Sequence, residues 1–567
     1  LAASLFFPSM RYHKTSTHRR QQSNSRSLYR MKIIMFPFSL FTSSIKISDR
    51  IESLRDAESK LLEFAKTRFV PSPHDHHPHS TCSSHHHSFE LFDTPIAPPS
   101  VVKDKKKNCQ VFDDDEDVEH YSLHGVKVVN QQLLASSDDD DVSSSSPAPL
   151  VLLHGYANGS LYFYRNLHGL SKFFGQIYAL DMLGWGLSSR PRFNLHLQHT
   201  HNSNDDDDDA ANNNNNSNND NDKVKSAEQF FVESLESWRR HHNLPKMTLA
   251  GHSMGGYLSV AYAEQYPQHV EKLILLSPVG VPQKVEEEDT QRVSSMPFYV
   301  RALIHTVRAM FNRGITPGYF LRSLPHSKSR DMVNGYITNR LPAITCEEEQ
   351  QYLGEYLYQN SMLPGSGEDC LCEILTAGAF ARVPLIDRIP EIKSGGSDEN
   401  NGEEGLEVHF VYGENDWMDY RGGLDVQRLC HEKMQDRRTT TTTTRSAENN
   451  QSPPPKVFVH GVRNAGHLLM LENYQEFNAA MAIAAGREED LPPGMSRSVE
   501  FACDEVAAAA AANAEGADKS TTFRSSRKKV VMSEKDAAKF FRGGRFNRRD
   551  SQQQKDDDAV IVEEKKE

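Results

Sequence analysis

Met247-Thr248-Leu249-Ala250-Gly251-His252-Ser253-Met254-Gly255-Gly256-Tyr257-Leu258 joins two kinds of chain. Met247–Ala250 is short, apolar and reads as a buried strand, and Ser259–Tyr266 has the spacing of a helix that begins behind it. Between them Gly251 and Gly255 flank Ser253 with the smallest side chains. Such a pattern permits a tight strand-to-helix turn that holds a serine in a strained conformation at the C-terminal edge of a sheet. A serine hydroxyl is a weak nucleophile at neutral pH, so this exposed position matters only if a base lies within hydrogen-bond reach. The helix start favours negative charge nearby.

The same texture extends outward. Leu150–Leu153 and Gln176–Leu180 read as buried strands, Ser226–His241 as a helix, and Leu273–Leu276, Val408–Tyr412 and Lys456–Val459 as further strands. Strand, Gly-rich turn and amphipathic helix alternate, as in a mostly parallel, doubly wound sheet with crossovers, an α/β architecture. Upstream, His120–Asn130 reads as an early strand, and Ile51–Val70 as a short amphipathic helix packed on the core. The organisation expected is a basic leader over 1–50, the early elements over 51–149, core halves over 150–283 and 386–485, a helical lid over 284–385 and a low-complexity tail over 486–567.

Composition restricts the folded part. Asp138–Asp141, Asp205–Asp209, Asn212–Asn216 and Thr439–Thr444 carry almost no apolar surface to offset ordering entropy. They read as solvated loops within inserts at 136–148, 195–223 and 436–455. The net charge of −13 sits largely in those runs, so it indicates solubility and points to no charged ligand. No nucleic-acid partner is expected. Seven scattered cysteines make a disulfide framework unlikely to be the organising device. Cys370-Leu371-Cys372, with one residue between the sulfurs and no second pair, reads as lid or core cysteines and not as a zinc site. No metal and no cofactor are expected. The most apolar early stretch, Ile33–Phe41, is too short to cross a bilayer and contains Pro37. Residues 1–48 hold eight Lys or Arg and no acid, which reads as an organellar presequence.

The remaining chemistry is read by position. Among 26 histidines, His467 in Asn464-Ala465-Gly466-His467-Leu468-Leu469-Met470-Leu471-Glu472 follows the last core strand and a glycine, as a general base for Ser253 should. The orienting carboxylate should follow the preceding strand. There Val411-Tyr412-Gly413-Glu414-Asn415-Asp416-Trp417-Met418-Asp419 offers Asp416 first, Asp419 as fallback and Glu414 as a surface residue. The order Ser253, Asp416, His467 fits this architecture. The oxyanion donors expected are the backbone N–H groups of Met254 and of Tyr156, with Ala157 its neighbour, just past the strand Leu150–Leu153. His154 is read as organising that loop.

Taken together, His154-Gly155-Tyr156 with Phe163-Tyr164-Arg165-Asn166, Ala179-Leu180-Asp181-Met182-Leu183-Gly184-Trp185-Gly186-Leu187-Ser188-Ser189-Arg190-Pro191, the Ser253 turn with Tyr257-Leu258, Leu363-Pro364-Gly365-Ser366-Gly367-Glu368, Ala381-Arg382-Val383-Pro384-Leu385 and Asp416-Trp417-Met418 resemble one subfamily of the α/β-hydrolase fold. It contains lysophosphatidic acid acyltransferase/phospholipases, a lipid-droplet lipase co-activator and a mitochondrial cardiolipin deacylase. The resemblance implies acyl chemistry on a phospholipid or lysophospholipid at a peripheral membrane or lipid-droplet surface. The site is then expected on a mitochondrial or other organelle membrane, or otherwise in the cytoplasm and on lipid droplets. The subfamily's H-x4-D motif, tied to acyl transfer, reads here as His467 and Glu472. That departure puts a serine hydrolase cleaving fatty acyl esters first. Acyl transfer to lysophosphatidic acid, with acyl-CoA as co-substrate, and a non-catalytic co-activator are the alternatives. Within the lid, Met296–Phe311 mixes apolar residues with Arg301, His305 and Arg308, and suits either a helix packed over the site or one resting on a bilayer.

Overall fold

The computed structural model describes residues 46–69, 87–102, 121–135, 148–193, 215–393, 405–443, 452–492 and 499–503, with isolated positions from 506 to 541. The leader to residue 45, Asp138–Asp141, Asp205–Asp209 and the Ala507–Ala512 run lie outside the described residues. In chain order the elements that place the site are α1 (Ile47–Phe69), β1 (His87–Ile96), β2 (Tyr121–Asn130), β3 (Leu150–Leu153), β4 (Gln176–Leu180), α2 (Asn215–His241), β5 (Met247–His252), α3 (Met254–Gln265) and β6 (Val270–Leu276). Helices α4 (Glu286–Ser294), α5 (Phe298–Phe311), α6 (Pro317–Arg322), α7 (His326–Arg340), α8 (Glu347–Met362) and α9 (Gly367–Ile374) follow before the chain returns to the sheet. There it forms β7 (Glu407–Gly413), α10 (Arg421–Thr443), β8 (Lys456–Val462), α11 (Tyr474–Ala484), β9 (Val499–Phe501) and β10 (Val531–Met532).

The ten strands of the described residues form one sheet in the order β1-β2-β4-β3-β5-β6-β7-β8-β9-β10. From β4 through β8 the neighbours are parallel, whereas β1–β2, β2–β4 and β8–β9 are antiparallel. The central strands are apolar on both faces because both are covered. In β3, Val151 and Leu153 face one hydrophobic core while Leu150 and Leu152 face the other. The alternation repeats in β6, with Leu273 and Leu275 on the first side and Ile274 and Leu276 on the second. α1 joins the second core through Leu54, Leu61, Leu62 and Phe64, each burial contributing about 1.5–3 kcal/mol. The architecture is the α/β-hydrolase fold.

The register aligns the strand ends that matter. Leu153 of β3 pairs with Gly251 of β5, His252 with Leu276 of β6, Leu276 with Val411 of β7, and Gly413 with Val462 of β8. The loops after β3, β5, β7 and β8 therefore leave the sheet at one edge.

Several expectations are corrected. α3 starts at Met254, immediately after the serine, and not at Ser259. α2 begins at Asn215, so the end of the 195–223 insert is helical: once α2 is nucleated, adding polar residues to its start costs little. The threonines to Thr443 continue α10, and Thr439 returns its hydroxyl to the carbonyls of Gln435 and Asp436. β1 lacks a sequence signal because, at one edge, its side chains are only partly buried. The tail contributes β9, and Phe541 packs with Phe501 and Tyr420. Cys370 and Cys372 lie buried on α9, and burial pushes both thiols up, Cys372 to about 12. No described helix is long and apolar enough to cross a membrane.

Candidate active site

Ser253 closes β5 with φ +55° and ψ −113°, a conformation non-glycine residues avoid unless their surroundings enforce it. Here the backbone is fixed on both sides: Ser253 N–H donates to Leu276 C=O at 2.9 Å, and its carbonyl accepts from Val279 N–H at 3.2 Å. The flanking glycines are needed for space. A Cβ on Gly251 would stand 2.2 Å from the Gly255 carbonyl oxygen, and one on Gly255 would stand 2.6 Å from those of Leu153 and His154.

His467 lies 214 residues further along the chain, on the loop between β8 and α11, and its Nε2 is 3.2 Å from Ser253 Oγ. Its Nδ1 is 3.1 Å from Asp416 Oδ1, on the loop after β7. Asp416 is almost fully enclosed, with a side chain 2% exposed, and the same Oδ1 accepts from Met418 N–H. The other two acids of that loop are elsewhere: Asp419 is paired with Arg421, and Glu414 accepts from Asn464 N–H. The geometry thus brings Ser253, His467 and Asp416 together and leaves Asp419 and Glu414 out. Trp417 stacks obliquely near the imidazole, 5.0 Å between centroids. A hydroxyl, an imidazole and a carboxylate in this sequence can deprotonate the hydroxyl as it attacks and hold the resulting imidazolium.

Met254 is the first residue of α3, where N–H groups lack intrahelical acceptors. Among the described residues neither its N–H nor that of Tyr156 has a hydrogen-bond partner. The Tyr156 loop is pressed against the serine, since a Cβ on Gly155 would lie 3.2 Å from Ser253 Cβ. His154 is buried, and burial lowers its pKa. Its Nε2 accepts from Met182 N–H at 3.1 Å, so it ties the β3 exit to the β4 exit and takes no place beside Ser253.

Three supporting contacts were not read from sequence. The carboxylate of Glu472 accepts from Gly466 N–H at 3.0 Å and Leu468 N–H at 3.1 Å, the two amides flanking His467. Burial raises its pKa against the pull of those two amides. His252 Nε2 donates to the His467 carbonyl at 2.9 Å, and burial holds this imidazole neutral, well below its ordinary pKa. Tyr156 Oη donates to Glu368 on α9 at 2.7 Å and accepts from Gly318 N–H on α6 at 3.0 Å, while Arg322 pairs with the other Glu368 oxygen. His252 adjoins the serine in sequence, but nothing local announces that it reaches the His467 loop.

A strained serine at the end of the central strand of a doubly wound sheet, with a histidine and an acid delivered by later strand exits, defines the class as α/β-hydrolase. Residues 148–312 match the family model described as alpha/beta hydrolase fold. The chain is 30% identical over 287 residues to the rat and mouse proteins named 1-acylglycerol-3-phosphate O-acyltransferase ABHD5, a match covering 50% of this chain and 68% of theirs, and it belongs to their family. An Arabidopsis thaliana protein named 1-acylglycerol-3-phosphate O-acyltransferase is 30% identical over 285 residues; the match spans 49% of this chain and only 58% of that relative. Among solved structures, carboxylesterase CesB from Bacillus subtilis overlaps 77% of this chain and 99% of its own at 15% identity and a TM-score of 0.37.

Proposed function

We propose that the protein is a serine enzyme that takes fatty acyl groups from glycerophospholipid esters, with Ser253 as nucleophile, His467 as general base and acid, and Asp416 as the orienting carboxylate. The observation that carries this reading is the unbroken relay from Asp416 Oδ1 through His467 to Ser253 Oγ, with both links at hydrogen-bond length. As Oγ attacks the ester carbonyl carbon, His467 Nε2 takes its proton. The carbonyl oxygen gains the charge and is met by the N–H groups of Met254 and Tyr156. Collapse expels the alcohol, which recovers the proton from His467 and leaves an acyl-serine. Water then attacks, and release of the fatty acid restores Ser253.

Hydrolysis is the first reading. Acyl transfer is the second: the names of the relatives favour it, and it needs only a lysophosphatidic acid hydroxyl in place of water, with acyl-CoA as the donor. Glu472 does not separate the two, because both of its oxygens serve the His467 loop. A purely non-catalytic role leaves the relay without a purpose. The helices between β6 and β7 act as the lid, and the working location is the surface of an organelle membrane, mitochondrial among them, or of a lipid droplet.

The test is fluorophosphonate labelling of the protein and of Ser253→Ala, followed by incubation with acyl-labelled phospholipid, then with labelled acyl-CoA and lysophosphatidic acid. Labelling and fatty-acid release confined to the serine protein are expected. An unreactive Ser253 would sink the enzyme reading, and phosphatidic acid formation requiring both co-substrates, without fatty-acid release, would reverse the order of the two reactions.

A further inference from the structure

α5 is apolar along most of its fourteen residues but packs only a narrow stripe inward: Val300 is buried and Ile304, Val307 and Phe311 are half-buried, while Phe298, Tyr299 and Leu303 are 77%, 65% and 56% exposed. An apolar helix ordinarily lays a stripe against the core. Here a second set of apolar side chains faces outward, and Tyr319 and Phe320 of the next helix, α6, are exposed as well. In a chain of net charge −13, α5 contains no acid. Between α4 and α5 lies a groove of about 440 Å³ lined by Thr290, Ser294, Phe298, Arg301, His305 and Arg308. Arg308 is held by Asp289, which also faces Lys284. Arg301 and His305 have no hydrogen-bond or ion-pair partner among the described residues. Glu286, Glu287 and Glu288 stand in the first turn of α4, before the residues that line the groove.

We propose that the α4–α5 groove and the outer face of α5 form a docking site for the anionic phospholipid surface of a bilayer, an inference that rests on the lipid-acyl reading above and specifies where the lipid surface is met. The headgroup phosphate sits between Arg301 and His305 with the Thr290 hydroxyl as a further donor, and Phe298, Tyr299 and Leu303 enter the acyl region. Two observations select this occupant. Basic and apolar side chains alternate on a single helix, as a headgroup–acyl boundary requires. That helix carries no acid although the chain's net charge is −13, so its polar positions attract an anionic surface. The location also suits delivery: a short link, residues 312–316, connects α5 to α6, whose Gly318 N–H holds the Tyr156 hydroxyl. The proposed surface is therefore linked through α6 to the loop that faces Ser253.

Sedimentation of the full chain with phosphatidylcholine vesicles, and with vesicles doped with phosphatidic acid, tests this without turnover. Tighter binding to the doped vesicles is expected, and Ser253→Ala should bind as the parent does. Arg301→Ser with His305→Ser should weaken binding to doped vesicles about fivefold or more, with little change on neutral ones. Phe298→Ser with Leu303→Ser should weaken binding to both on the order of 100-fold. These side chains are exposed, so unchanged melting and unchanged fluorophosphonate labelling show that the fold is intact. The docking site is refuted if the parent ignores vesicles, if the variants bind like the parent, or if light scattering shows dimers that the α5 variants dissolve. Vesicle binding by a protein with an unreactive Ser253 would leave docking in place and remove the enzymatic reading instead.

Discussion

Replacing Glu472 by Gln tests whether this residue chooses the fate of the acyl group or only holds the base. Its two oxygens meet the amides on either side of His467, at 3.0 and 3.1 Å. A glutamine keeps one carbonyl acceptor but turns an NH2 toward the other amide, so one charge-assisted bond is lost and two donors face each other. Such a bond is worth about 1.5–3 kcal/mol. If that loss falls on the placement of the imidazole, turnover drops about 10- to 150-fold. In the proposed mechanism His467 serves acylation and both deacylation routes, so fatty-acid release and transfer to a lysophospholipid should fall by the same factor, with KM little changed. The assay measures both products in one reaction containing water and acceptor, together with the rate of fluorophosphonate labelling. A changed ratio of transfer to hydrolysis at an unchanged total rate would refute the reasoning and place Glu472 against the acceptor. Unchanged labelling would show that the two amides do not govern the base.

Three further outcomes follow from the geometry. Gly155→Ala puts a methyl 2.8 Å from His252 Nδ1 and 3.2 Å from Ser253 Cβ, so Ser253 labelling should slow about 5- to 30-fold, on the order of 1–2 kcal/mol of misplacement; labelling at the parental rate would count against the close approach. Tyr156→Phe strands Gly318 N–H and one oxygen of Glu368, costing about 1–3 kcal/mol, and should lower kcat more than it raises KM; a pure KM effect would make the tyrosine a substrate contact instead. His124 is buried, which lowers its pKa, but its bonds to Asp93 and Glu58 outweigh burial and carry it to about 10. A raised histidine pKa stabilises fully below about 6.5 and fades as pH rises toward 10. Melting temperatures of the parent should therefore fall between pH 7 and 10 relative to His124→Gln, and a constant gap across that range would overturn the assignment.

Much of the fold is legible because the signals are local. The apolar runs of β3 through β8 are short and continuous, as strands covered on both faces must be, and the turn at Ser253 carries its glycines within two residues. Elements that depend on partners are not legible. β1 alternates only weakly because it lies at the sheet edge, and β9 is three residues long and exists through its pairing with β8. The polar start of α2 and the threonines of α10 look unstructured in isolation; each extends a helix already nucleated by buried residues next to it.

The sequence by itself determined the class and the order of the candidate reacting groups. A strand–glycine–serine–helix pattern is a local instruction, and the positions of His467 and the acids of residues 414–419 follow from counting strands. Only the tertiary structure decided which acid reaches the imidazole, because Glu414, Asp416 and Asp419 follow the same strand and differ in where the loop turns them. It also decided that Glu368 and His252 brace the site across 212 and 215 residues and Glu472 from within the same loop, and that α5 leaves Phe298, Tyr299 and Leu303 outside the core. Hydrogen bonds of 3 Å and the covering of an apolar face are set by how distant segments pack, and no local pattern of residues contains that information.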